Sequence, residues 1–150
     1  MNKELIIFLS QAMEKWNTKL MVNGEEIGQC KIRRGIFQGD SLSPLLFVIS
    51  MIPLTQMLND TGVGYQLEKG GKKINHLLYM DDLKLYGKSE NEVKILTSAV
   101  IEYSKDIGME FGLSKCATMV MEHGKMKDCA GIDLSDGQRI QGLKTEENYK

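Results

Sequence analysis

The period of the apolar positions changes several times along the chain. Leu5, Leu9, Ala12 and Trp16 recur at helical spacing, with Ile6 and Met13 beside them, and predict an amphipathic helix over 2–16. TKLMV, Asn23-Gly24 and EEIGQCKI then predict a β-hairpin, because Asn-Gly supplies the positive φ of a tight turn. RRGIFQGDS (33–41) is punctuated by glycine and predicts a loop. Ser43-Pro44 opens a second helix: Ser can cap it, and Pro suits a first turn whose N–H would be unpaired anyway. That helix is apolar nearly all round, which predicts a central place, while Pro53 predicts a kink or an early end.

Residues 63–75 predict a small hairpin turning near Lys69-Gly70-Gly71. INHLLYM and LKLYG are two short β-rich runs on either side of Asp81-Asp82. Ser89 and Glu92 have the spacing of a capping box. Val93, Leu96, Val100, Tyr103 and Ile107 trace one face of the helix that follows, and Gly108 suits its end. Residues 109–121 alternate weakly and predict one or two strands; Asp136-Gly137 predicts a last hairpin. The order α-ββ-α-ββ-ββ-α-ββ is an α+β pattern, with a mainly antiparallel sheet packed on helices.

The 150 residues are 42% apolar, which excludes disorder and predicts one domain. Net charge is −1, with nine basic against seven acidic residues over 1–75 and ten against thirteen over 76–150. A free-standing nucleic-acid module carries a stronger basic excess, so any polymer contact is local or completed from outside the chain. The one dense basic cluster is Lys31, Arg33 and Arg34. Cys30, Cys116 and Cys129 are odd in number and form no CxxC pair, which suits reduced thiols without disulfide partners. Cys116, His123 and Cys129 lack zinc spacing and a fourth ligand. Pro44 to Leu54, broken only by Ser50, is too short for a membrane span, which takes about 20 residues. The expected location is cytoplasmic or nuclear, without a membrane partner.

Adjacent Asp81 and Asp82 repel one another at neutral pH. As an isolated dipeptide they read as a polar turn. A divalent cation would relieve the repulsion, and Mg²⁺ in particular prefers carboxylate oxygens while keeping positions open for phosphates.

The dipeptide stands within Tyr79-Met80-Asp81-Asp82, after RRGIFQGDSLSPLLF (33–47) and before FGLSKCATMVM (111–121). In this order the three segments resemble the reverse transcriptases, most closely the non-LTR retrotransposon group. The resemblance covers nearly the whole chain and implies the palm of an RNA-directed DNA polymerase. It implies Mg²⁺ or Mn²⁺ held by Asp81 and Asp82, with Lys115 as a third catalytic residue facing the leaving phosphate. Gln38 and Gly39 match the family's loop beside the incoming nucleotide and template base. Arg34, Phe37, Tyr79 and Met80 join them as nucleotide- or template-contacting positions. RNA template, DNA primer and deoxynucleotides are the implied partners of the complete protein.

The family also uses a third carboxylate from an upstream D-x-x-x-A-F-D-like segment, and this chain has no Asp before Asp40. Fingers and thumb segments are missing as well. Residues 1–150 are therefore expected to be a partial reverse transcriptase domain, cut at both ends and inactive alone. The alternative is a non-catalytic retroelement remnant, a small binding or interaction module.

Overall fold

In the computed structural model, residues 3–110, 112–134 and 137–145 are described. They form two compact units, Met1–Leu46 and Phe47–Lys150.

The first unit begins with α1 (Lys3–Glu14), none of whose residues is buried. Trp16, expected inside this helix, lies just past its end. Its N–H donates to Met13 O at 3.1 Å, and its carbonyl accepts from Ile32 N at 3.0 Å. Strands β1 (Asn17–Val22) and β2 (Glu25–Lys31) pair antiparallel from Asn17↔Lys31 to Val22↔Glu25. Asn23 (φ 51°) and Gly24 (φ 86°) make the expected turn with the positive φ values it requires. Between Leu20↔Gly28 and Met21↔Glu26 the register slips, leaving Ile27 as a bulge.

Helix α2 (Ser43–Asp60) starts where Ser43-Pro44 predicts, but Ser43 does not cap it. Its hydroxyl is buried without a hydrogen-bond partner among the described residues. The capping acceptor is Asp40, whose Oδ1 receives the Leu42 N–H at 2.8 Å. Nor does Pro53 end the helix, which runs on to Asp60. Pro53 is exposed, and on an exposed face a carbonyl deprived of its donor can bond water. Central burial holds for one face only: Met51, Leu54 and Leu58 are buried, whereas Val48 and Ile52 are about half exposed.

In the second unit those buried residues pack with Leu96, Val100 and Tyr103 of α3 (Glu90–Asp106), and with Leu78, Leu83 and Leu85. Full burial of a leucine such as Leu58 is worth about 1.5–3 kcal/mol. The expected small hairpin is β3 (Tyr65–Gln66) with β4 (Lys73–Ile74). Strands β5 (His76–Tyr79) and β6 (Asp82–Leu85) form the acidic hairpin. At the start of α3, Ser89 Oγ accepts from Glu92 N at 3.3 Å, as the capping box predicts. The return bond differs: Glu92 Oε2 accepts from Lys88 N at 2.8 Å and from Gly64 N at 3.3 Å, not from Ser89 N.

The weakly alternating stretch becomes a 3₁₀ turn (Leu113–Lys115), then β7 (Ala117–Thr118) and β8 (Val120–Glu122). Strand β8 pairs with β9 (Lys125–Lys127) across His123 (φ 50°) and Gly124 (φ 75°), a hairpin the sequence reading did not foresee. Strands β10 (Ile132–Asp133) and β11 (Arg139–Gly142) form the last hairpin. Gly137 lies in its turn at φ 81°, while Asp136 falls outside the described residues. Strand β11 also runs parallel to β7, and Ile132, Leu134 and Ile140 make a second apolar cluster with Val93, Ile101 and Leu113. The result is α+β with mostly antiparallel pairing. Among the described residues, no helix is long and apolar enough to cross a membrane.

Candidate functional site

The β5–β6 hairpin alternates as a half-buried sheet must. His76, Leu78, Leu83 and Leu85 face inward, and Leu77, Tyr79, Asp82 and Lys84 face out. Tyr79 pairs with Asp82, so Met80 and Asp81 are the two residues of the turn. Met80 takes φ 51°, a region costly for a side chain of its size. The turn brings Asp81 and Asp82 out at one tip. Among the described residues, neither carboxylate has a hydrogen-bond or ion-pair partner. Beneath the turn, Val48, Met51, Ile52, Thr55, Leu78 and Met80 line a shallow apolar hollow of about 130 Å³.

A polar tether holds the base of this hairpin. Asn75 is buried, and its Nδ2 donates to Leu58 O of α2 at 2.7 Å. Its Oδ1 therefore faces His76 Nδ1 at 2.6 Å, which makes Nδ1 the protonated nitrogen. His76 Nε2 is left to accept from the Thr55 hydroxyl at 3.3 Å. Burial lowers the His76 pKa below its ordinary 6.5 and favours this neutral form. The sequence reading passed over Asn75, His76 and Thr55. The available signal was a pair of polar residues opening an otherwise apolar strand.

Within the first unit, Arg34, Phe37, Gln38 and Gly39 share the loop between β2 and α2. Gln38 and Gly39 are the central residues of a turn from Phe37 to Asp40, and Gly39 has φ 94°. A Cβ on Gly39 would meet no atom within 4 Å, so glycine serves the backbone conformation here, not local space. Arg34 and Gln38 are exposed, with no side-chain partner among the described residues. Phe37 is half-buried, with its ring 4.8 Å from that of Trp16 and tilted by 55°.

The structure thus gathers Tyr79, Met80, Asp81 and Asp82 on one hairpin, and the Arg34–Gly39 positions in one loop. Lys115 is exposed at the end of the 3₁₀ turn after α3. Among the described residues, no three His, Cys, Asp or Glu side chains cluster as metal ligands. Cys116 and Cys129 are half-buried free thiols, and burial pushes the Cys116 thiol above its usual pKa.

Comparison with known proteins places these features in context. The profile of the family described as "Reverse transcriptase (RNA-dependent DNA polymerase)" matches residues 5–145. A Pol polyprotein from type-1 retrotransposable element R2 of Popillia japonica is 31% identical over 112 residues, covering 75% of this chain and 18% of that protein. The polyprotein from type-2 retrotransposable element R2DM of Drosophila melanogaster is 23% identical over 152 residues, covering 99% of this chain and 14% of that protein. The chain therefore spans less than a fifth of the length of either relative. A family match from residue 5 to 145, together with similarity to two retrotransposon polyproteins over 75% and 99% of its length, makes this chain a member of the reverse transcriptase family, in its non-LTR group.

Proposed function

We propose that the chain is a palm portion of an RNA-directed DNA polymerase, a partial domain whose complete form copies an RNA template onto a DNA primer from deoxynucleotides. The observation that carries this reading is the Tyr79-Met80-Asp81-Asp82 tip, where Asp81 in the turn and Asp82 at the first position of β6 present consecutive exposed carboxylates without a partner among the described residues.

Those two carboxylates suit a hard divalent cation, since Mg²⁺ is held by one or two carboxylates and completed by substrate phosphates. Asp81 and Asp82 would hold Mg²⁺ or Mn²⁺, which when bound stabilises the charge that develops in phosphoryl transfer. The remaining tasks fall to the chain's own residues. Tyr79 and Met80 shape the tip on which a primer end would rest. Gln38 and Gly39 offer an amide and a turn backbone to a nucleotide or template base. Arg34 adds a cation for phosphate, Phe37 an apolar wall, and Lys115 an ammonium that can hold or donate a proton near a leaving phosphate. The setting for this chemistry is the cytoplasm or nucleus.

This polypeptide alone is proposed not to polymerise. Asp81 and Asp82 have no third carboxylate grouped with them among the described residues. Misplacement by about 1 Å already costs on the order of 100-fold in rate. Primer extension on an RNA template with Mg²⁺ or Mn²⁺ tests the reading. Purified 1–150 should match an Asp81→Ala/Asp82→Ala control, and extension should return when an upstream palm-and-fingers segment is supplied in trans. Extension by 1–150 above the control refutes the inactivity; no rescue by any upstream segment favours the non-catalytic binding module.

A further inference from the structure

The Gln38-Gly39 turn is fastened on both flanks. On its C-terminal side, Asp40 binds the start of α2: its Oδ1 accepts from Leu42 N at 2.8 Å and its carbonyl from Ser43 N at 3.3 Å. On its N-terminal side, Phe37 packs against Trp16. The backbone of Trp16 is in turn tied on both sides. Its N–H closes the end of α1 on Met13, and its carbonyl closes the β1–β2 hairpin on Ile32. The indole is thus mounted on a backbone pivot tied to both neighbouring elements. Of the two flanks, the aromatic one ties the turn to a residue distant in sequence. Gly35 (φ 82°) interrupts the path from β2, so the chain between Lys31 and Phe37 has no strand or helix to guide it.

We infer that Trp16 is a positioning residue: it holds Phe37, and through Phe37 fixes where Gln38 and Gly39 present their polar groups. The inference extends the reading of that turn as a nucleotide- or template-contacting element, and its structural half stands without that reading. Trp16 is the sole tryptophan of the chain, so it also reports on its own environment. An aromatic pair of this kind shifts a local opening equilibrium by about 2- to 10-fold.

The test uses the full chain, isotopically labelled. Trp16→Ala should displace the Gln38 and Gly39 amide resonances and speed their hydrogen exchange by about 2- to 10-fold. Leu58 and Leu96 in the second unit should be unmoved. Trp16→Phe should restore the wild-type pattern. Should Trp16→Ala also lose the second unit's resonances, Phe37→Leu removes the same ring pair from the other side. It should shift Gln38 and Gly39 and move the Trp16 emission to longer wavelength. Unmoved Gln38 and Gly39 amides in Phe37→Leu, or in a folded Trp16→Ala, overturn the inference. Binding of an RNA–DNA hybrid then separates the two layers. Trp16→Ala should weaken it by the same factor as Gln38→Ala, and the double variant should be no weaker. If Gln38→Ala leaves affinity unchanged, the nucleic-acid role of the turn fails, while the resonance data still decide the positioning role.

Discussion

The phenol of Tyr103 on α3 donates a hydrogen bond to the carbonyl of Ser50 on α2, across 53 positions of sequence. It is a polar rivet in the otherwise apolar seam that carries the acidic hairpin, since Met51, Leu54, Leu96 and Val100 surround the same contact region. Tyr103→Phe keeps the ring and deletes the donor. The expected cost is about 0.5–1.5 kcal/mol, read from urea unfolding as a lower midpoint with an unchanged slope.

Gly142 should be intolerant of any side chain. A Cβ there would overlap the carbonyl of Cys129, which is backbone and cannot swing aside, and would also crowd Gly131 N. Gly142→Ala is expected to destabilise by roughly 1–3 kcal/mol or more, with the loss centred on β7, β10 and β11. Gly112→Ala is the matched control: its Cβ meets nothing within 4 Å and its φ is −75°, so the change should stay within about 0.5 kcal/mol. Equal melting temperatures for the two variants would contradict the packing described here.

His76 gives stability a dependence on mild acid. Its folded-state pKa lies below the unfolded 6.5 because burial disfavours the charged ring. Between those two values the unfolded chain binds more protons, so stability is full above pH 6.5 and falls as pH drops below it. Replacing the ring by Gln should flatten that part of the pH profile. The comparison to make is the difference between wild type and His76→Gln, from denaturant unfolding at pH 7.5 and at 5.5. A difference that stays constant across that interval contradicts the assignment.

Asp81 and Asp82 should show a weak affinity for Mn²⁺ in the isolated chain. Two hard oxygen ligands at one turn are enough for measurable binding, yet too few for tight binding. Titration calorimetry on wild type and Asp81→Asn checks this. The expected result is loss of the binding isotherm in the variant; equal affinity would place the cation elsewhere.

Local signals along the chain account for many of the elements. The Asn23-Gly24 turn, the Ser89 cap and the Gly137 hairpin each depend on interactions within a few residues and were readable from the residues alone; of the α3 stripe, Leu96, Val100 and Tyr103 share the first apolar cluster, whereas Val93 packs on the second and Ile107 lies exposed past the end of the helix. The family was legible for a similar reason: the segments around Gln38-Gly39 and Asp81-Asp82 carry their pattern in the order of their residues. What tertiary structure decided was everything that depends on a partner distant in sequence. Pro53 stays inside α2 because the surrounding face is open to water. Ser43 lies one position past Leu42, whose carbonyl accepts the first bond of α2, so its hydroxyl is not placed to cap and is buried without a partner among the described residues. Asn75 and His76 gain their meaning only from Thr55 and the Leu58 carbonyl on another element. Strand β7 pairs with β11 in parallel, a partner that two residues with a weak alternation could not name. Short-range preferences are worth a fraction of a kcal/mol per residue, while a buried leucine or a satisfied buried polar group is worth one to several, so wherever the two disagree the packing prevails.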